Sequence, residues 1–323
     1  MPRKIGFLLL PRFSMLSLMS ALEPLRVANR FVEDHYQWLF IGPNNTAVPA
    51  SNGIPVSVTA IAEIKHLDRL FVCASYAPQA GLTAPIINWL KHRGRTGTHM
   101  GSLESGCHAL AAADLLNNHN TAMHWESQPA FHETYPHLKL SNNIFNDDGK
   151  RFTCAGGSAC LDLVLHQISR DHDNQTADRV TSSLIHQRQS EAEVGQGSLL
   201  LKTPQQQVLR PVIDAMAAHM EEPLEGSALA AIQKVSERTL QRQFKQAFGM
   251  SPRSCYLQMR LQRARQLLHE SHLSVMQVGL ACGFGSNENF CRQYKAMFSH
   301  PPSRDRKLDY GVVSYAPLNQ TQN

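Results

Sequence analysis

In the first part of the chain, short apolar runs alternate with longer stretches in which apolar residues recur every three or four positions. Such runs are typical of strands buried in a parallel sheet, and such stretches of amphipathic helices. We predict strands at residues 4–10, 69–74, 96–101, 121–124 and 151–155, and helices at 16–31, 84–92, 105–116, 128–135 and from 158 onward. This alternation predicts an α/β domain, a parallel sheet sandwiched by helices, whose ligands bind beyond the carboxyl ends of the strands.

The pattern changes near residue 191. Residues 191–204 contain two glycines and end at Pro204, and a run of three Gln follows, a composition typical of an exposed hinge. Residues 205–306 show helical periodicity only, and residues 307–323 are polar. We therefore predict a ligand-sensing α/β domain at 1–190, a linker at 191–204, an all-α domain at 205–306 and a flexible tail at 307–323.

One pattern occurs twice in the predicted all-α domain. In each copy a short helix leads through a tight turn, near Lys234 in the first copy and at Gly283 in the second, into a second helix. Ser236 and Ser286 are the predicted N-caps of those second helices, and an amphipathic helix through residues 256–268 joins the copies. Two helix-turn-helix units in tandem are a much stronger signal than one.

The second helix of each copy displays polar side chains of the kinds that reach base edges and phosphates. A solvated helix face is the alternative for each of them. The predicted DNA-contacting residues are Arg238, Thr239, Gln241, Arg242 and Lys245 in the first copy and Asn287, Asn289, Arg292 and Lys295 in the second. We expect the two lysines to contact phosphates.

This region resembles the AraC/XylS family of transcription regulators, most closely in the segments RLQRARQLL (Arg260–Leu268) and ACGFGS (Ala281–Ser286). The resemblance implies sequence-specific binding to promoter DNA, with two recognition helices in successive major-groove segments. Two positions depart from the family pattern. Ser299 replaces the usual Gly after the last helix, so that cap must be strained or reshaped, and Gly279 replaces an Ala at a cost of about 1 kcal/mol.

Residues 100–116 predict a strand that leads through a sharp turn into a helix, the geometry of a nucleophile elbow. The segment resembles the PfpI-like class I glutamine-amidotransferase superfamily, and with the helical domain the chain resembles GlxA-type regulators. The resemblance implies a Cys at the elbow in the enzymes, but Glu104 stands at that position here, with Gly106 as the elbow glycine. Ser20 stands where the first helix usually carries a second acid. A carboxylate does not replace a thiolate, so we predict a sensor and not an enzyme.

Two alternatives remain open for the chain as a whole, and a reactive thiol of a redox sensor remains one for Cys107. Cys107 and His108 would form a catalytic dyad in an active cysteine amidase or hydratase fused to a DNA-binding domain, although neighbours on a helix point about 100° apart. The chain would otherwise be an architectural DNA-binding protein without a ligand.

The predicted ligand-binding residues are Glu104, Ser105, Tyr76, His124, Trp125 and Glu126. Carboxylates beside aromatic rings bind ammonium, guanidinium or quaternary amine groups. The segments SALEPLRVAN, HWE and FTCAGG resemble regulators of arginine, carnitine or glycine betaine catabolism, which implies a small nitrogenous metabolite as the effector. A core position for Trp125, a helix cap for Glu126 and a Glu104 held by the amides of its own turn remain alternatives.

The net charge of +5 lies in the second part of the chain. Residues 1–204 contain 17 Lys and Arg against 17 Asp and Glu, and residues 205–323 contain 14 against 9. A basic domain joined to a neutral one indicates a polyanion-binding module under regulation, with a solvated basic face as the alternative. We expect a homodimer, with RNA polymerase as a partner if the protein is an activator.

The cysteine spacing and the apolar run lengths exclude further classes. The seven cysteines include no CxxC pair, so we expect free thiols and no metal or other cofactor. No apolar run reaches the roughly 18 residues that a membrane helix needs, so we expect a cytoplasmic protein without a membrane partner.

Overall fold

The computed structural model describes residues 2–76, 78–188, 203–271 and 273–306. The described residues fall into two compact units, one up to residue 188 and one from residue 203. The predicted tail lies outside the described residues, as does the predicted linker except for Thr203 and Pro204.

The first unit is an α/β structure. Its strands are β1 (Arg3–Leu9), β2 (Tyr36–Gly42), β3 (Val48–Pro49), β4 (Pro55–Val56), β5 (Thr59–Ala60), β6 (Arg69–Ala74), β7 (His99–Glu104), β8 (Asn120–Ala122), β9 (Lys139–Ser141), β10 (Phe145–Asp147) and β11 (Arg151–Cys154). Its helices are α1 (Met15–Ala28), α2 (Ala84–Arg95), α3 (Cys107–Ala112), α4 (Gln128–Thr134), α5 (Ala159–Asp171) and α6 (Asn174–Ser183).

The central sheet has seven strands in the order β10-β11-β7-β6-β1-β2-β5. Every pairing is parallel except that of the edge strand β10 with β11. Alternate residues of β1 enter the two cores that cover the sheet: Phe7 and Leu9 pack with α1 and α5, and Leu8 packs with α2 and α3. The predicted parallel sheet sandwiched by helices is confirmed.

Several predicted boundaries were wrong for local reasons. β7 begins at His99 rather than near residue 96, because Gly97 has a φ of +85° and turns the chain. Helix α3 ends at Ala112, and Asp114 has a φ of 58°, which a helix does not accommodate. The strand predicted at residues 121–124 is β8, but it pairs with β9 in a separate two-stranded sheet, because β10 occupies the edge beside β11.

The second unit is all-α, as predicted. Its helices are α7 (Pro204–Val208), α8 (Arg210–Ala218), α9 (Gly226–Ile232), α10 (Glu237–Phe248), α11 (Pro252–Glu270), α12 (Val275–Ala281), α13 (Asn287–Phe298) and α14 (Pro302–Asp305). Leu240 and Phe244 of α10 are buried with α8 and α9, and Phe290 and Tyr294 of α13 are buried in the second half of the unit. Equivalent positions of α10 and α13 are therefore buried in the cores of the two copies.

Candidate nucleic-acid interface and elbow site

The two helix-turn-helix units, α9–α10 and α12–α13, have the same turn. In the first, the N–H of Val235 donates to the carbonyl of Ala230 at 3.1 Å, and Lys234 has a φ of 56°. In the second, the N–H of Phe284 donates to the carbonyl of Gly279 at 2.9 Å, and Gly283 has a φ of +73°. A lysine thus occupies the left-handed position in the first turn that a glycine occupies in the second.

Serine side chains begin both recognition helices, as predicted. Ser236 Oγ accepts from the N–H of Thr239, and Ser286 Oγ accepts from the N–H of Asn289, both at 3.2 Å. At the other end, Ser299 has a φ of 66° where α10 is followed by Gly249 at +72°. The strained cap expected at Ser299 is therefore present, since non-glycine residues rarely adopt this conformation.

Gly279 has a packing reason that its sequence position did not reveal. A Cβ at Gly279 would lie 3.1 Å from Cδ1 of the buried Phe290, closer than a normal carbon contact. The missing side chain lets α12 approach α13, which offsets part of the cost in helix propensity.

The predicted DNA-contacting side chains lie on the face of each recognition helix away from its buried aromatic residues. Thr239 and Asn289 are half-buried. The exposed members are Arg238, Gln241, Arg242, Lys245, Asn287, Arg292 and Lys295. This surface provides cations and amides without carboxylates except at the first turns, where Glu237 and Glu288 are exposed.

A cleft of about 810 Å³ separates the two helix-turn-helix units. Gln241 lines one side, and Asn289 and Arg292 line the other. Arg253, exposed on the first turn of α11, also lines the cleft and was not among the residues predicted from the sequence. The sequence feature that could have indicated Arg253 is its place in the first turn of the connecting helix.

The connecting helix α11 holds the second turn in place. Arg260 Nε donates to the carbonyl of Cys282 at 2.7 Å, and its Nη2 donates to the carbonyl of Gly283 at 2.6 Å. Its guanidinium lies 4.4 Å from the ring centroid of Phe284, and burial lowers the pKa of Arg260. These contacts satisfy carbonyls at the end of α12 and hold α11 against the second helix-turn-helix unit.

A buried carboxylate joins three helices in the second half of the unit. The Tyr294 hydroxyl donates to Asp305 Oδ2, and Arg265 Nε lies 3.2 Å from the same oxygen. His269 Nε2 lies 3.2 Å from Oδ1 of Asp305, whose side chain is fully buried. Helices α11, α13 and α14 therefore share one polar cluster.

The first unit contains the predicted elbow. Glu104 is the last residue of β7 and has a φ of 52°. A Cβ at Gly106 would lie 2.1 Å from the carbonyl oxygen of Val72, so only glycine fits beneath the turn. The carboxylate thus stands at the carboxyl end of a parallel sheet, where ligands of α/β proteins bind.

Glu104 is held by a hydroxyl from α1. Ser17 Oγ donates to Glu104 Oε1 at 2.5 Å and accepts from the N–H of Gly157 at 2.8 Å. A Cβ at Gly156, whose φ is +101°, would lie 1.8 Å from Glu104 Cγ. The residue of α1 that meets the elbow is therefore Ser17, one helical turn before Ser20, the position at which the resemblance places an acid.

Cys107 and His108 point to different surroundings. Cys107 is buried, with its Sγ 3.6 Å from the carbonyl of Glu104 and 3.9 Å from Met123 Sδ. His108 Nδ1 is 3.2 Å from Gln79 Nε2, and burial lowers the pKa of His108 to about 4. A neutral imidazole with this partner is a poor base for the neighbouring thiol.

Three further buried thiols lie behind Glu104. The Sγ atoms of Cys154 and Cys160 are 3.7 Å apart. Burial, followed by the charge of Glu104, raises the pKa of Cys73, and burial also raises the pKa of Cys160. Cys73 and Cys160 are therefore held as protonated core thiols, and burial keeps all three from acting as exposed nucleophiles.

The other predicted ligand-binding residues make local contacts. Ser105 is buried at the turn, and the half-exposed Tyr76 has the Arg12 guanidinium 5.8 Å from its ring centroid. His124 Nδ1 lies 3.7 Å from Glu126 Oε2, and the His124 and Trp125 rings are 5.8 Å apart.

Two of the alternatives for this triplet are wrong. Trp125 is 37% exposed and so is not a core residue, and Ser127 rather than Glu126 stands at the N-cap of α4.

Within the described ranges, no helix is long and apolar enough to cross a membrane. Among those same residues, no cluster of His, Cys, Asp and Glu has the arrangement of a metal site.

Known proteins resemble the chain over nearly its full length. Residues 229–308 match the family described as a helix-turn-helix domain. The HTH-type transcriptional regulator CdhR of Pseudomonas aeruginosa is 40% identical over 319 residues, which cover 95% of this chain and 93% of the relative. The regulator ArgR of the same organism is 36% identical over 319 residues, covering 97% and 96%.

Solved structures resemble it in fold. An AraC family transcriptional regulator from Pseudomonas putida superposes with a TM-score of 0.52 at 26% identity, covering 57% of this chain and all of the other. A ThiJ/PfpI family protein from Pseudomonas syringae has a TM-score of 0.53 at 19% identity, covering 68% of this chain and 87% of the other.

Proposed function

The chain belongs to the AraC family of helix-turn-helix transcriptional regulators, a class of DNA-binding proteins, and we propose a separate role for each of its two units. The helical unit contacts promoter DNA through α10 and α13, and the α/β unit senses a small nitrogenous metabolite at Glu104. The protein acts in the cytoplasm as a homodimer and contacts RNA polymerase if it activates transcription.

The proposed DNA contacts rest on the exposed faces of the recognition helices. Arg238, Arg242 and Lys245 give α10 three exposed cations, and Arg292 and Lys295 give α13 two. Cations that neutralise phosphates release counterions, so binding must weaken as salt rises. Arg and amide side chains reach base edges in the major groove, which gives the sequence preference.

The DNA contacts are tested by selecting ligands for the full-length protein from a random duplex library. We expect Arg242→Ala to weaken binding to the selected duplex roughly 5- to 150-fold, the equivalent of 1–3 kcal/mol for a lost base contact. Arg188→Ala, in the other unit, serves as the matched control. Equal binding by the Arg242 variant and the control would exclude Arg242 as a base contact.

The proposed sensor rests on one observation: the elbow carries a carboxylate where catalysis needs a nucleophile, and Ser17 holds that carboxylate in place. Glu104 Oε1 accepts from Ser17, and an ionised carboxylate has further lone pairs for a donor. An ammonium or guanidinium group can donate a charge-assisted hydrogen bond to these remaining lone pairs of Glu104. The ligand class is therefore a cationic or zwitterionic amine.

The sensor is tested by thermal unfolding of the full chain with arginine, other amino acids, carnitine, choline and betaines. A ligand at 100 times its Kd stabilises the native state by about 2.7 kcal/mol. We expect one compound of this panel to raise the Tm of the wild type and of Glu33→Ala, an exposed control, but not of Glu104→Ala. A compound that stabilises all three equally does not bind at the elbow.

We also propose that the elbow performs no catalysis. Cys107 is buried beneath the turn with its Sγ 3.6 Å from the backbone carbonyl of Glu104, so it lacks the exposed surroundings of a reactive cysteine. Amide hydrolysis by the purified chain that Cys107→Ala abolishes would reverse this conclusion. Analytical ultracentrifugation tests the homodimer.

A further inference from the structure

The two recognition helices hold their equivalent arginines differently. Arg242 and Arg292 stand the same number of residues after their N-cap serines. On α13, Arg292 Nη2 donates to Asn289 Oδ1 at 3.0 Å. On α10 the equivalent of Asn289 is Thr239, whose Oγ1 lies 2.9 Å from Ser236 Oγ and so is engaged by the cap. Of these two arginines, Arg292 is therefore oriented by a hydrogen bond to the residue three positions before it, and Arg242 is not.

Asn289 is itself fixed in place. Its backbone N–H is bound by the Ser286 cap at 3.2 Å, and its side chain is half-buried beside the cleft that Arg292 also lines. Holding a long arginine side chain in one orientation before binding removes part of the entropy cost of ordering it on DNA. The pair is therefore a preorganised recognition element.

The hydrogen bond also determines which groups the pair displays. An asparagine that reads adenine uses its Oδ1 and its Nδ2 together on one base. Here Arg292 engages one lone pair of Oδ1 and draws this oxygen toward the guanidinium, so the groups that the pair turns toward a base are mainly donors, Asn289 Nδ2 and the remaining guanidinium N–H groups. Guanine is the base whose major-groove edge offers two acceptors, N7 and O6.

We propose that Asn289 is a positioning residue that orients Arg292 toward a guanine, so that the second helix-turn-helix unit selects a G·C pair at the base pair Arg292 contacts. This proposal rests on the DNA contacts proposed above for α13.

The test repeats the library selection with the full-length wild type, Asn289→Ala, Asn289→Asp, Arg292→Ala and the exposed control Asn117→Ala. We expect a guanine in the wild-type motif whose preference Arg292→Ala abolishes. Asn289→Ala should reduce the preference for that guanine about tenfold and leave other positions unchanged, as a loss of about 1.4 kcal/mol would. Asn289→Asp should retain the guanine, because its carboxylate still accepts from Arg292. Unchanged thermal unfolding confirms that each variant is folded.

Three results would overturn the proposal. An unchanged motif for Asn289→Ala excludes a positioning role, and an adenine at this position means that Asn289 reads the base itself. Uniformly weaker binding by Arg292→Ala, with the motif intact, assigns Arg292 to a phosphate. A wild type that enriches no motif contradicts the proposed DNA contacts themselves, and this outcome is distinct from the other three.

Discussion

Lys234 and Gly283 occupy the same left-handed position in the turns of the two helix-turn-helix units, at φ values of 56° and +73°. Around Gly283 the space is closed, since a Cβ there would lie 2.6 Å from the carbonyl oxygen of Met220. Lys234 is exposed, so its side chain is tolerated but its backbone is strained. The repeat is therefore more exact in backbone conformation than in sequence.

Replacing Lys234 with glycine should stabilise the helical unit by up to about 1 kcal/mol. Relief of the left-handed strain contributes about 1–2 kcal/mol, and the greater freedom of glycine in the unfolded chain offsets part of it. Urea unfolding of the full chain measures the difference, with Lys234→Ala as the control that removes the side chain but keeps the strain. Equal gains in both variants would mean that the lysine charge, not the backbone, was unfavourable.

Gly156→Ala should destabilise the α/β unit by at least about 2 kcal/mol, because its φ of +101° and its contact with Glu104 both exclude a Cβ. Part of this cost is steric and depends on the Glu104 side chain. In a Glu104→Ala background the same change should cost at least about 0.5 kcal/mol less, the coupling expected for residues in contact. Strict additivity in this double-mutant cycle would show that the Glu104 side chain does not pack against residue 156 as described.

His108 makes the α/β unit sensitive to acid. Its pKa is about 4 in the folded state and about 6.5 in the unfolded chain, so the unfolded chain binds the extra proton between these values. The stabilising effect of the neutral imidazole is present above pH 6.5 and is lost as the pH falls toward 4. At 1.36 kcal/mol per unit the loss approaches about 3 kcal/mol.

Urea unfolding near pH 7 and near pH 4.5 measures this loss. His108→Phe should lose less stability between the two pH values than the wild type, while His132→Phe, at an exposed histidine, should behave like the wild type. If the His108 variant keeps the full pH dependence, the sensitivity arises from other groups.

Asp305→Ala should destabilise the helical unit by about 3 kcal/mol, because Arg265 and the Tyr294 hydroxyl lose a fully buried partner. Arg304→Ala, at the exposed neighbour, should change the free energy of unfolding by less than about 0.5 kcal/mol. Similar values for both variants would mean that the cluster contributes little to stability.

Local signals accounted for most of the correct predictions. The apolar run at residues 69–74 is β6, and the elbow followed from a strand, a glycine and a helix within one short segment. The Ser236 and Ser286 caps were likewise visible in single helices. β2 was absent from the predicted strands, although its sequence YQWLFIG contains a run of apolar residues and both of its ends are buried.

The contacts that sequence could not supply are between distant segments. Ser17 meets Glu104 across 87 positions, and which turn of α1 faces the elbow depends on how that helix packs on the sheet. The pairing of β8 with β9 likewise depends on which strand occupies the edge of the central sheet beside β11, and that strand is β10. Both outcomes are decided by tertiary packing, which leaves no local periodicity.

Arg260 connects the helix that joins the two helix-turn-helix units to the turn of the second one. The helix that carries it has 19 residues, about 28 Å at 1.5 Å per residue, and the hydrogen bonds of Arg260 to Cys282 and Gly283 tie this helix to the turn of the second helix-turn-helix unit. With α10 and α13 bound to DNA as proposed above, this connection would require a fixed length of DNA between the two segments that they contact, whereas a changed base within one segment would cost a single contact.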